Sequence, residues 1–247
     1  MIYHRSMTSA VRVDFSRPIA LFPLPSVVVY PHTAEWMVAF EPRYRQLIED
    51  CLRARTDGDI LSAAPIAMCT YASRQWEGEK IGEPALRPAA CVVKIVDHRA
   101  LADGRHQVLV HGVSRANIET IAEPDGRRLY RLARLQPLDC RRGAARRLPA
   151  LEGAIHQLLS ALELKRMQRL DQIRNLMGQE GVPTEVIVEQ LLFVLSHGDR
   201  MRYDMLAEPN ARARARVALS ELAHLAHLLD RACESSPLST TRGVILN

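Results

Sequence analysis

Three groupings in this 247-residue sequence contain residue types able to do chemistry. The first is Glu221-x-x-His224-x-x-His227, with Asp230 three residues further on. Carboxylates and imidazoles serve as metal ligands and as general acids or bases. On a helix, however, each step of three residues falls about 60° short of a full turn, so the i, i+3, i+6 positions spread over about 120°. Glu221 and His227 then lean to opposite sides of a broad face, unlike the i, i+4 histidine pairs of metal helices. Solvated side chains are the expectation there, with no metal site. The second grouping is Asp97-His98 and Asp103-x-x-His106, with Ser114 close in sequence. A catalytic triad is defined by geometry, not by chain proximity, and no nucleophile-elbow context surrounds Ser114. The third is Glu41, Arg43 and Arg45 at a helix start. These could clamp a peptide carboxylate. The structural alternative is the expectation: Glu41 complements the positive helix terminus and an arginine ties the helix to a neighbouring strand or loop. No GxxxxGK[ST] run offers a phosphate cradle. Neither catalysis, nor a cofactor, nor a metal is expected.

The elements that would position these residues follow from periodicity and punctuation. Leu21-Phe22-Pro23-Leu24-Pro25 reads as an apolar strand whose prolines confine it to an edge or a bulge. Pro42 sits where a first helical turn tolerates proline. After it, Tyr44, Leu47, Ile48, Cys51 and Leu52 mark one buried helix face. Further strands are expected at 27–30, 60–61 with 66–71, 91–96, 107–110, 118–121 and 130–135. Turn signals separate them at Asp57-Gly58, Asp103-Gly104, His111-Gly112 and Asp125-Gly126. Asp103-Gly104-Arg105 is the clearest hairpin, its glycine suited to positive φ. Residues 73–88 lack periodicity and read as a long exposed loop.

Beyond residue 140 the period changes from two to about 3.6. One long helical stripe is expected from Leu148 to Leu176, ended by Gly178 and Gly181. Helices at 183–196, 199–208 and 210–233 follow, with Asn210 as an N-cap. The division expected is a flexible N-terminus (1–16), a β-barrel domain (17–140), a helical bundle (141–234) and a fraying tail (235–247).

Composition narrows the class. An apolar share of 47% and a charged share of 25% match an ordinary globular chain. No window offers the roughly 20 apolar residues of a membrane span, and the N-terminus lacks a signal-peptide core. The five scattered cysteines, without any CxxC, read as reduced thiols of a cytoplasmic protein. The net charge is +5, with eight arginines between Arg127 and Arg147. That stripe leaves RNA binding as an alternative, although such runs are usually solvated faces. Trp36 and Trp76 fall in expected connections and could anchor a partner, with Pro31, His32 and Met37 completing an apolar rim. Packing of Trp36 on the barrel is the competing reading.

In order and spacing, LFPLP, Phe40-Glu41-Pro42-Arg43-Tyr44-Arg45, Asp50-Cys51-Leu52, CVVKI at 91–95, Asp103-Gly104-Arg105, VHGVSR at 110–115 and YDMLAE at 203–208 resemble the amino-terminal substrate-binding domain of the Lon protease family. The resemblance runs over about residues 17–230 and implies an α+β fold, a PUA-like β pseudo-barrel followed by a helical bundle. It makes Pro23, Pro25, Phe40 to Arg45, Asp103 to Arg105, Gly112 and Arg115 family-motif positions, mainly structural. It also implies a stand-alone recognition module, without motor or protease, for exposed apolar or unfolded protein segments. A protease or chaperone would then be a partner, with self-association open. The sequence departs from the family at His32 (a usual glycine), at Glu35-Trp36-Met37, at Ala90-Cys91 and at Ala116, departures expected to lie around a binding rim.

Overall fold

A computed structural model describes residues 13–72, 84–138, 147–165 and 167–235. Six strands form one sheet: β1 (Ile19–Leu24), β2 (Ala34–Ala39), β3 (Ile66–Tyr71), β4 (Leu86–Ala100), β5 (His106–Ala122) and β6 (Leu132–Pro137). Their order is β2-β5-β4-β3-β1-β6, and β6 also pairs with β5. Five strands therefore close on themselves, and closure removes the free edges an open sheet would expose. The length of β5 makes this possible. Its first half, 106–111, pairs with β2, and its second half, 116–122, pairs with β6, while β4 occupies the opposite edge. β2 is left outside the closed ring.

The barrel interior holds Ile19, Leu21, Ala67, Cys69, Ala90, Val92, Ala116, Ala133 and Leu135. Ala90 and Ala116 are direct cross-strand partners, and Cys91 faces Arg115. Ala90, Cys91 and Ala116 are all fully buried. These departures from the family are thus core substitutions, not changes around a rim. Val13 and Phe15 pack against the same core, so order begins before residue 17.

Several expected elements change. Residues 27–30 form no strand. Thr33 closes a tight turn there, its hydroxyl donating to the Tyr30 carbonyl at 2.8 Å. The strand comes later, as β2. Residues 60–62 form a 3-10 turn, with the Asp59 carboxylate accepting from the Leu61 amide. His111-Gly112 lies inside β5, which merges two expected strands. Gly112 is required because a Cβ there would fall 2.0 Å from the Tyr30 carbonyl oxygen. The expected loop ends before Pro88, since β4 already begins at Leu86; residues 73–83, Trp76 among them, lie outside the described residues. The Asp103-Gly104 hairpin joins β4 to β5, with Gly104 at φ +79°.

β1 is not an edge strand, contrary to what its proline suggests: it pairs with β3 from Ala20 to Leu24 and with β6 at Ile19 and Ala20. The β6 ladder stops before Pro23, so the missing amide costs no bond on that flank.

Helix α1 (Pro42–Arg53) buries Tyr44, Leu47, Ile48, Cys51 and Leu52, the five residues of its apolar stripe. The long stripe after residue 148 is broken into α2 (Pro149–Leu159), α3 (Leu162–Lys165), a 3-10 turn (Gln168–Leu170) and α4 (Asp171–Met177). Two local features end its first segments. The Ser160 hydroxyl turns back onto the His156 carbonyl at 2.7 Å, and Met167 is extended. α5 (Thr184–Leu195), α6 (Gly198–Ala207) and α7 (Ala211–Ser235) follow. The Asn210 side chain accepts from the amides of Arg212 and Ala213, capping α7.

Two compact units result. The first takes in the barrel and residues 196–214; the second contains 145–195 and the rest of α7. α6 therefore belongs with the barrel, where the Tyr203 hydroxyl accepts from the Ala89 amide at 3.0 Å. No helix of the described residues is long and apolar enough to cross a membrane.

Candidate functional site

The proline-rich strand and the helix start that follows it are joined by specific bonds. The Tyr44 hydroxyl donates to the Pro23 carbonyl at 2.7 Å, and its ring meets Phe22 edge-on at 4.3 Å. The Arg43 guanidinium donates to Glu41 at 2.8 Å and to the Tyr71 hydroxyl at 3.3 Å, and lies over the Tyr44 ring. Arg45 reaches the hairpin tip, where a Cβ on residue 104 would stand 2.6 Å from its Nη2. Arg115 is fully buried in the same unit, near the Tyr30 ring and the Met205 carbonyl. Pro25 is exposed just past β1.

Alternation along β2 places even-numbered residues outward and odd-numbered residues inward. Trp36 is 43% exposed, Val38 40% and Phe40, just past the strand, 63%. Met37 and Ala39 are buried between them. Of the residues expected to form an apolar rim, Trp36 is outside, Met37 and Pro31 are buried, and His32 is half-buried. Val38 and Phe40 were missed as rim residues. The sequence AEWMVAF does carry their signal, a period of two, once it is taken as a strand.

Cross-strand pairing extends this row into a platform. Trp36 lies beside Leu109 and then Asp97; Val38 lies beside Gln107 and then Arg99. The Arg99 guanidinium sits 5.8 Å from the Trp36 ring. Among the described residues β2 has one strand neighbour, β5, and its other edge has no strand partner. Glu35 lies beside that edge on the opposite face. Its burial holds the carboxyl above the usual carboxylate range, against the pull of Arg202.

The other groupings do not converge on a reaction centre. His98 Nε2 and His106 Nδ1 are 3.0 Å apart, and His106 Nε2 is 3.3 Å from Glu49 of α1. Asp97 accepts from the His98 amide, not from its ring, and Asp103 binds Arg105. Ser114 is six β5 positions beyond Val108, the partner of His98, or roughly 20 Å along a strand. Cys51 and Cys69 are buried and their thiols are pushed up to about 12, which keeps them protonated and unreactive. On α7, His224, His227 and Asp230 are exposed, and no three described residues are grouped to hold a metal. The arginine stripe is also divided. Arg131 is buried against Glu123, Arg128 pairs with Asp125, and Arg147 pairs with Glu152.

A small closed barrel flanked by a strand with outward apolar side chains suits a binding module. The chain belongs to the family of the ATP-dependent protease La (LON) substrate-binding domain, whose family model matches residues 18–224. A Lon N-terminal domain protein from Xanthomonas campestris is similar in structure, with a TM-score of 0.57 at 18% identity over 83% of this chain and 98% of that one. The N-terminal domain of the Mycobacterium avium complex Lon protease gives 0.57 at 13% identity over 84% and 98%. Comparison with curated proteins gave no match.

Proposed function

We propose that this chain recognises exposed apolar or unfolded protein segments at the edge of β2 away from β5. The observation that carries the reading is the outward row Trp36, Val38 and, just past the strand, Phe40, on a strand with one strand neighbour among the described residues. An extended segment laid beside β2 would pair with backbone donors and acceptors that β5 does not take up. Its alternate side chains would cover the row. The family's substrate-binding character supports this reading. Delivery of the bound segment to a protease or chaperone would be the consequence, within protein quality control. RNA binding is less favoured, since three arginines of the basic stripe are held by carboxylates.

The test replaces Trp36 and Phe40 together by aspartate and follows the anisotropy of a labelled, reduced and alkylated unfolded protein. Both side chains are exposed, so the melting temperature should stay within a few degrees of wild type. Binding should weaken by about tenfold or more, as expected when central aromatic anchors are lost. Equal affinity of the two proteins would remove the β2 edge as the site.

A further inference from the structure

The second unit contains a cleft of about 670 Å³ between α2 and the run from α3 to α4. That volume is typical of small-molecule sites. One wall is a single face of α2, with Glu152, Gly153, His156 and Leu159 in succession. The opposite wall presents Asp171, Arg174 and Met177, again one helix face. Met177 supplies apolar surface beside the buried Leu159, while Arg147 and Lys165 add cations.

The charges of the lining do not cancel. Both carboxylates already close on arginines: Glu152 on Arg147 at 2.5 Å and Asp171 on Arg174 at 2.6 Å. Thr184 holds Glu152 further by donating to its carboxylate. Lys165 is the cation in excess, exposed and with no side-chain partner among the described residues. Gly153 gives an independent indication. It lies inside α2, where glycine destabilises a helix relative to alanine. No packing requirement explains it, because a Cβ there would meet nothing within 4 Å. Any larger residue except proline would suit the helix better and would narrow the cleft.

We infer that this cleft binds a carboxylate carried on an apolar body, with Lys165 facing the acid and Leu159 and Met177 facing the apolar part. Either a free small organic acid or the carboxyl end of a peptide has this chemistry. Unlike the β2 edge, the cleft would read a terminal charge and not an extended strand.

Titration calorimetry of the full chain, with three probes, tests the assignment. The probes are octanoate, the tripeptide Ala-Ala-Leu as its free acid, and the same tripeptide as its amide. At least one acid should bind, and the peptide acid, if it binds, should do so about tenfold more tightly than its amide. Binding of octanoate alone identifies a small acid as the ligand, and binding of the peptide acid identifies a chain terminus. Gly153→Leu and Lys165→Glu should each weaken the bound acid by about tenfold. The first is a change the helix favours, so the loss would not come from unfolding. No heat from either acid, equal binding of peptide acid and amide, or unchanged affinity in both variants would each overturn the inference.

Discussion

At position 32 the backbone is left-handed, with φ 65°, and the residue is histidine where the resembled family usually has glycine. The turn is held by the His32 amide donating to the Gly112 carbonyl at 2.8 Å. Left-handed backbone costs a residue with a Cβ about 1–2 kcal/mol. His32→Gly should therefore raise stability by about 0.5–1 kcal/mol, read as a higher denaturation midpoint, even after the greater freedom of glycine in the unfolded chain. Two other histidines set a pH dependence. Burial lowers the pKa of His111, and burial, His106 and Arg55 lower that of His98, with Asp97 opposing. The unfolded chain then takes up protons first, near the ordinary imidazole value of 6.5. This contribution to stability is complete above that pH and is lost as pH falls toward the lower folded values. Denaturation midpoints should drop from pH 7 to 5, and His111→Gln should flatten the slope; an unchanged slope would count against burial as its source.

Among the elements, α1 was fully legible, because its i, i+3, i+4 stripe is a local property and the burial in the fold follows it residue by residue. β2 was not. Its β-branched neighbours at 27–29 look more strand-like, yet they fold into an irregular connection, while β2 is selected by pairing with the distant 106–111 segment of β5. Misplacing the strand also hid its parity, and with it Val38 and Phe40. The bond between the two family motifs is tertiary as well, since Tyr44 reaches Pro23 across 21 residues of chain. Tyr44→Phe keeps the packing against Phe22 but leaves the Pro23 carbonyl without this donor. A loss of about 1–2 kcal/mol is expected by chemical denaturation. No loss would mean that packing alone joins strand to helix.

For the molecule as a whole, the net charge of +5 is a weak guide to its partner. The arginine run between 127 and 147 is continuous in sequence, but Arg128, Arg131 and Arg147 each pair with a different carboxylate, and Arg141, Arg142 and Arg146 lie outside the described residues. Client binding driven by apolar burial should change by less than about twofold between 50 and 200 mM salt. Release of counterions from six or more phosphates would cost about 10³-fold over the same range. A steep salt dependence of unfolded-protein binding would reverse the assignment. The return of residues 196–214 to the barrel unit likewise has no local signature, because α6 is chosen by contacts such as Tyr203 with Ala89.

By itself the sequence determined the change from strands to helices near residue 140, the α1 face, the Asp103-Gly104 hairpin and the family to which the chain belongs. Each of these depends on neighbours a few residues apart, or on motifs preserved in order. Tertiary structure decided which apolar residues remain outside. Trp36, Val38 and Phe40 differ little in type from Met37 and Ala39, and only the pairing of β2 with β5 assigns one set to water and the other to the core. The same holds for the cleft of the second unit, whose charges face one another because two helices separated by a broken stripe present their faces across it. Exposure is a property of the assembled fold, since it depends on what covers a side chain and not on the side chain itself.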